Sequence, residues 1–150
     1  LENLHSNYRI GHSSYFIAEA CEYSDSFLHF HPQIGIVLNV EAEHLDYFKT
    51  YERMVDSFRK YVAGLKPDGC LILNYDYQSL FPDYHGQMLT VSLQNRDADL
   101  TADHIEPAAD HLGSHFDCIY KGQNLGRLTI HVPGSHNIFD CLCAKGAAPY

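Results

Sequence analysis

Three short apolar runs set the frame of the chain. Residues 15–20, 34–40 and 70–74 are nearly continuous in hydrophobic side chains and rich in β-branched ones, the pattern of strands covered on both faces of a parallel sheet. Between the first two, residues 24–30 have helical spacing and stop short of Pro32, which disfavours helix in the residue ahead of it. Beyond the second run, Met54, Val55, Phe58, Tyr61, Val62 and Leu65 recur at helical intervals and predict a helix over 51–65 with one apolar face. Lys66-Pro67-Asp68-Gly69 is a turn signal ahead of the third run. A loop over 75–86, with a helical turn at 79–81, precedes a fourth strand at 88–93. Such alternation predicts βαβ units with right-handed crossovers, hence a three-layer α/β fold around a mostly parallel sheet flanked by helices.

The second half changes grammar. Residues 94–113 are polar, acidic and weakly periodic, suiting an edge strand or a loop. Phe116, Cys118 and Tyr120 then alternate with polar residues, 122–126 turns, and Leu128, Ile130 and Val132 alternate again, which predicts a small antiparallel hairpin over 115–132 with one covered face. Pro133-Gly134-Ser135 leads into a helix over 137–148 rich in Ala, Leu and Cys.

Composition narrows the function classes. A chain of 150 residues with 45% hydrophobic content supports one core, so a single domain or a large piece of one is expected. The net charge of −9, from 19 acids against 10 bases without a basic cluster, argues against a nucleic-acid partner. No apolar run approaches the ~20 residues of a membrane span, and no basic-then-apolar signal opens the chain, so a cytoplasmic protein is expected. The five cysteines form no C-x-x-C pair, so neither a disulfide frame nor a structural zinc site is indicated; they read as reduced and mostly buried. The chain opens on Leu1 without an initiator Met and breaks off inside a helical pattern, which reads as an excerpt from a longer protein.

Two positions carry candidate chemistry. Glu19 and His44 each close an apolar run and lie 25 residues apart, the spacing of neighbouring strand ends at the carboxyl edge of a sheet, where open α/β folds place ligands. One carboxylate and one imidazole suit Mg²⁺ or Mn²⁺, with water and phosphate oxygens completing the shell. The plainer alternatives are a helix-capping acid for Glu19 and a solvated loop residue for His44. Asp46 would either orient the imidazole or cap the next helix, and Glu41 and Glu43 add negative potential. The other histidines, including His29, His31, His104, His111 and His115, lack ligand spacing with a third partner and read as surface residues.

Four segments together go beyond generic α/β: Phe16-Ile17-Ala18-Glu19-Ala20-Cys21-Glu22-Tyr23-Ser24-Asp25-Ser26-Phe27-Leu28, Asn39-Val40-Glu41-Ala42-Glu43-His44-Leu45-Asp46-Tyr47-Phe48, Asp68-Gly69-Cys70-Leu71-Ile72-Leu73-Asn74 and Val132-Pro133-Gly134-Ser135-His136-Asn137. Their order and spacing resemble the central ATP-binding domain of the Mur ligases, and the wording around Glu19 and His44 is most similar to the alanine-adding branch. The resemblance implies an ATP-dependent amide ligase of peptidoglycan precursor synthesis, in which ATP phosphorylates the carboxylate of UDP-N-acetylmuramate and the amine of L-alanine attacks the acyl phosphate. It implies that Glu19 and His44 are metal ligands and that His136, Asn137 and Asp140 meet the adenine of ATP. An Asn amide both donates to and accepts from a purine edge, whereas Asp140 stands where the family usually has a second Asn. The plainer role for Asn137 is to cap the last helix. Lys60 lies near the place where several Mur ligases carry a carbamylated lysine, without aligning cleanly, and is left out of the site.

No G-x-x-x-x-G-K-[ST] phosphate loop occurs in the 150 residues. In the family that loop and a uridine-nucleotide domain come before the Glu19 segment and a further domain follows, so the resemblance implies a fragment that is inactive alone. Two other readings stay open: another ligase of the superfamily, of the murein-peptide-recycling or folylpolyglutamate synthetase type, and a non-catalytic remnant that binds a metal or partner. Without the strand that carries the phosphate loop, Phe16, Ile17, Ile36 and Leu38 should form an exposed apolar flank and favour self-association.

Overall fold

The computed structural model describes residues 8–109 and 112–148. Six strands form one sheet in the order β1 to β6: β1 Ile34–Val37, β2 Cys70–Asn74, β3 Gln87–Val91, β4 Leu100–Pro107, β5 Ser114–Tyr120 and β6 Gln123–Ile130. The pairings from β1 through β4 are parallel, and those of β4 with β5 and β5 with β6 are antiparallel. Three helices accompany them, α1 Leu45–Phe48, α2 Tyr51–Ala63 and α3 Ser135–Ala147, with 3-10 turns at Tyr23–His29 and Tyr75–Leu80.

Strand β2 shows why the arrangement has three layers. Successive strand residues point to opposite faces: Leu71 and Leu73 join the core beneath α2 with Met54, Val55 and Val62, while Cys70 and Ile72 join a second core with Phe116, Leu142 and Cys143, on the α3 side. These four residues of β2 are buried, so the sheet has no wet face there. Helix α2 starts where Thr50 Oγ1 accepts from the Arg53 backbone N–H at 3.3 Å, an N-cap of the usual type. Helix α3 begins two residues before the expected Asn137, with Gly134 as its N-cap.

Three expectations need correction. Residues 15–20 form no strand; Phe16 is 86% and Ile17 93% exposed. The sheet edge at β1 is four residues long, and a lone strand flanking so short an edge does not recover the entropy of ordering its backbone. Residues 94–113 contain neither an edge strand nor a simple loop: β4 is an interior strand between β3 and β5, which makes the antiparallel part three-stranded. Its register shifts between Asp103 and Glu106, where His104 takes a φ of 46°, and this bulge hides the period-2 signal. The hairpin turn falls at Lys121-Gly122, both with positive φ (48° and 80°), as a two-residue turn of the mirror-image type requires.

The apolar flank is present: besides Phe16 and Ile17, Ile36 and Leu38 on and beside β1 are 38% and 41% exposed. All five cysteines are free; Cys70, Cys118 and Cys143 are buried, Cys141 is half-buried and Cys21 is exposed. Burial lifts the Cys143 thiol to about 12. Of the histidines read as surface residues, His29, His31 and His104 are exposed, His115 is half-buried and His111 lies outside the described residues. Across the antiparallel strands, His104 of β4 and Arg127 of β6 both engage Asp117 of β5, at 2.9 and 3.1 Å, and hold its carboxyl below the usual range. Among the described residues no helix is long and apolar enough to cross a membrane.

Candidate metal and nucleotide site

The loop leaving the carboxyl end of β1 carries His44 just ahead of α1. His44 has a left-handed backbone (φ 52°, ψ 38°) and serves as the N-cap position of α1 without a side-chain cap bond. Its ring is thereby left free for other partners. Nε2 lies 3.1 Å from Oε1 of Glu22, with both side chains partly exposed. Glu43 joins them: one ligand atom from each of Glu22, Glu43 and His44 lies within 4.8 Å of the others. Two carboxylates and one imidazole are a hard-oxygen donor set with nitrogen, which fits Mg²⁺ or Mn²⁺ rather than a thiophilic metal.

The carboxylate beside His44 is therefore Glu22. Glu19 stands three residues upstream in exposed, non-regular chain, outside the Glu22–Glu43–His44 group. Glu22 escapes a search by strand-end spacing because the chain turns there; it is the N-cap position of the 3-10 turn Tyr23–His29, and that turn brings it back to the His44 loop. Asp46 does not orient the imidazole; its Oδ2 accepts from the Tyr23 hydroxyl at 3.5 Å. The Tyr23 ring packs against His44 instead, centroids 5.0 Å apart.

A pocket of about 220 Å³ lies between the 3-10 turn and α2, lined by Asp25, Tyr47, Arg53, Ser57 and Lys60 among others. Lys60 thus faces this pocket, and its charge acts on Asp25.

The second group of candidate residues sits at the start of α3. The Asn137 amide donates to the Pro133 carbonyl at 2.6 Å and lies 3.0 Å from His136 Nε2. It is not an N-cap, since Gly134 holds that position with φ 106°. The backbone angle calls for glycine there. His136 and Asp140 are exposed, and Asn137 is half-buried. Helix α3 packs on β2, β3, β4 and β6.

The Mur ligase middle domain family matches residues 3–148, nearly the whole chain. The chain belongs to the Mur ligases. A UDP-N-acetylmuramate–L-alanine ligase from Alkaliphilus metalliredigens is 36% identical over 147 residues, covering 96% of this Mur ligase chain and 32% of the relative. One from Clostridium perfringens is 37% identical over 147 residues, again 96% of this chain and 32% of the relative. The chain thus spans about a third of the length of the curated relatives it matches. Among solved structures, the UDP-N-acetylmuramate:L-alanyl-gamma-D-glutamyl-meso-diaminopimelate ligase from Neisseria meningitides superposes with TM-score 0.68 at 22% identity, covering 83% of this chain and 37% of that one. UDP-N-acetylmuramate-alanine ligase MurC from Thermotoga maritima gives TM-score 0.66 at 16% identity, covering 84% and 28%. These likenesses place the six-stranded α/β sheet in the Mur ligase fold.

Proposed function

We propose that this Mur ligase domain is the middle, ATP-binding part of an enzyme that joins L-alanine to UDP-N-acetylmuramate in peptidoglycan precursor synthesis, in the cytoplasm. The observation that carries the reading is the His44 loop, which gathers an imidazole and two carboxylates beyond the carboxyl end of a parallel strand, where α/β folds bind ligands. Support for the substrates comes from relatives named as L-alanine ligases, matched along 96% of the chain. In the proposed site His44 holds a Mg²⁺ or Mn²⁺ ion with a carboxylate of the stretch 19–22: Glu19 by likeness to the family, Glu22 by position in this fold. Such an ion, when bound, supplies positive charge between a substrate carboxylate and the γ-phosphate of ATP, two anions that otherwise repel. His136, Asn137 and Asp140 are assigned to the adenine. In that role the Asn137 amide would exchange its bond to Pro133 for the purine edge, and Asp140 would accept from the exocyclic amine. The phosphate loop, a uridine-nucleotide domain and a carboxyl-terminal domain are assigned to the rest of the parent polypeptide. In isolation the flank around Phe16 and Ile17 favours self-association.

A chimera tests the reading. Residues 8–148 replace the corresponding segment of the Clostridium perfringens relative, and phosphate release is followed with UDP-N-acetylmuramate, ATP and single amino acids. The expected result is turnover that requires both UDP-N-acetylmuramate and L-alanine, and that falls by at least about a hundredfold in His44→Ala, the scale set by removing a preorganised charge-stabilising group. Turnover with a muramyl-bound peptide acceptor and not with L-alanine would favour the recycling type of ligase. A folded chimera with no turnover on any substrate would favour a non-catalytic remnant.

A further inference from the structure

Four of the six non-glycine residues with left-handed backbone among the described residues share one corner: Ser24 (φ 55°), Asp25 (φ 58°), His44 (φ 52°) and Lys49 (φ 70°). Such conformations are uphill for residues with a Cβ and persist only where the surroundings over-determine them. Here the surroundings converge on Asp25. Its Oδ2 accepts from the Tyr47 hydroxyl at 2.6 Å, and its Oδ1 accepts from Ser57 Oγ. Tyr47 lies on α1, three residues past His44, and Ser57 is a buried position of α2. One carboxylate therefore ties together the 3-10 turn, α1 and α2. The turn carries Glu22 at its start and α1 carries His44, so the two partners of the Glu22–His44 contact ride on the pieces that Asp25 joins. Burial works to raise the Asp25 pKa, but the hydroxyls of Ser57 and Tyr47 and the charges of Lys60 and Arg53 outweigh it and leave the group below its ordinary value. It is a charged acceptor at neutral pH.

We infer that Asp25 is a positioning residue for the His44 site: by accepting from Tyr47 and Ser57 at once, it fixes His44 against Glu22 and Glu43 without belonging to the donor set. What that site holds rests on the function proposed above; where His44 sits does not. Two readouts therefore accompany each other on the full chain. The first is the Mn²⁺ dissociation constant, from the paramagnetic signal of free Mn²⁺; the second is the nuclear Overhauser effect between the Tyr23 and His44 rings, now 5.0 Å apart. Asp25→Ala is expected to weaken Mn²⁺ binding about tenfold, the lower end for losing a group that orients a ligand. Tyr47→Phe, which removes one hydroxyl without opening a cavity, is expected to weaken it about threefold. Both variants should lose ring-to-ring intensity. Val55→Ala, which loosens a buried position of α2 that has no hydrogen bond to the carboxylate, should keep the affinity and the intensity, separating positioning from stability. Unchanged affinity and intensity in Asp25→Ala, or equal losses in Val55→Ala, overturn the inference. If Asp25→Ala does not fold, Tyr47→Phe decides by the same measures. If the unaltered chain binds no Mn²⁺, the cation reading fails, and the ring-to-ring intensities alone decide the role of Asp25.

Discussion

Purified, the 150-residue chain is expected to release no phosphate from ATP and to form no amide between L-alanine and UDP-N-acetylmuramate, even with Mg²⁺ in excess. Phosphoryl transfer is mostly positioning and electrostatic stabilisation, and β- and γ-phosphates need a cradle of backbone N–H groups with a lysine, which no G-x-x-x-x-G-K-[ST] stretch of this sequence supplies. The Glu22, Glu43 and His44 set adds negative charge and one imidazole, so on its own it repels nucleotide. Phosphate release and product formation are followed side by side. Turnover that His44→Ala abolishes would show that these residues hold a complete catalytic centre and that the assignment to one part of a larger ligase is wrong.

The largest loss of stability is expected from Phe116→Ala. Phe116 is fully buried and belongs to the core under α3, with Val91, Leu100, Ile138 and Leu142. It stands on β5, where the antiparallel strands join the parallel half of the sheet through β4. Replacing a buried Phe by Ala costs about 3–5 kcal/mol, which takes a large share of the ~5–15 kcal/mol that holds a typical domain together. For a chain of this size the melting temperature should fall by roughly 6 to 20 °C. A shift under about 2 °C would mean that the site collapses around the missing ring and that the core beneath α3 does not carry the fold.

Where burial is two-sided, the sequence is easy to read. Cys70–Asn74 is a strand with the expected bounds because four consecutive buried side chains leave no other interpretation, and the helix on Met54, Val55 and Val62 follows from one apolar stripe. Where a tertiary partner decides, local pattern misleads. Residues 15–20 look as buried as β2, but of them only Ala20 packs on a core while Tyr15, Phe16 and Ile17 stay exposed, and Leu100–Pro107 looks like a loop because its carboxyl-terminal half is exposed and bulged. The site divides the same way. Among the candidate residues, His44 stands out through its acidic setting after an apolar run, and His136 and Asn137 only through likeness to the family. Glu22 and Asp25 do not, because their place beside His44 and Ser57 depends on a 3-10 turn with left-handed residues at Ser24 and Asp25, a backbone that residue type alone does not announce.

The most direct test of the account is an equilibrium titration of the chain with Mn²⁺, comparing the unaltered protein with His44→Ala, Glu19→Gln and Glu22→Gln. The account predicts one weak site, whose affinity falls at least about tenfold in His44→Ala and by a similar factor in whichever of the two glutamine variants removes the ligand. Glu22→Gln alone having that effect would assign the carboxylate by its place in this fold; Glu19→Gln alone would assign it by family likeness. Mn²⁺ bound as tightly by His44→Ala as by the unaltered chain would contradict the claim that this loop is the cation site.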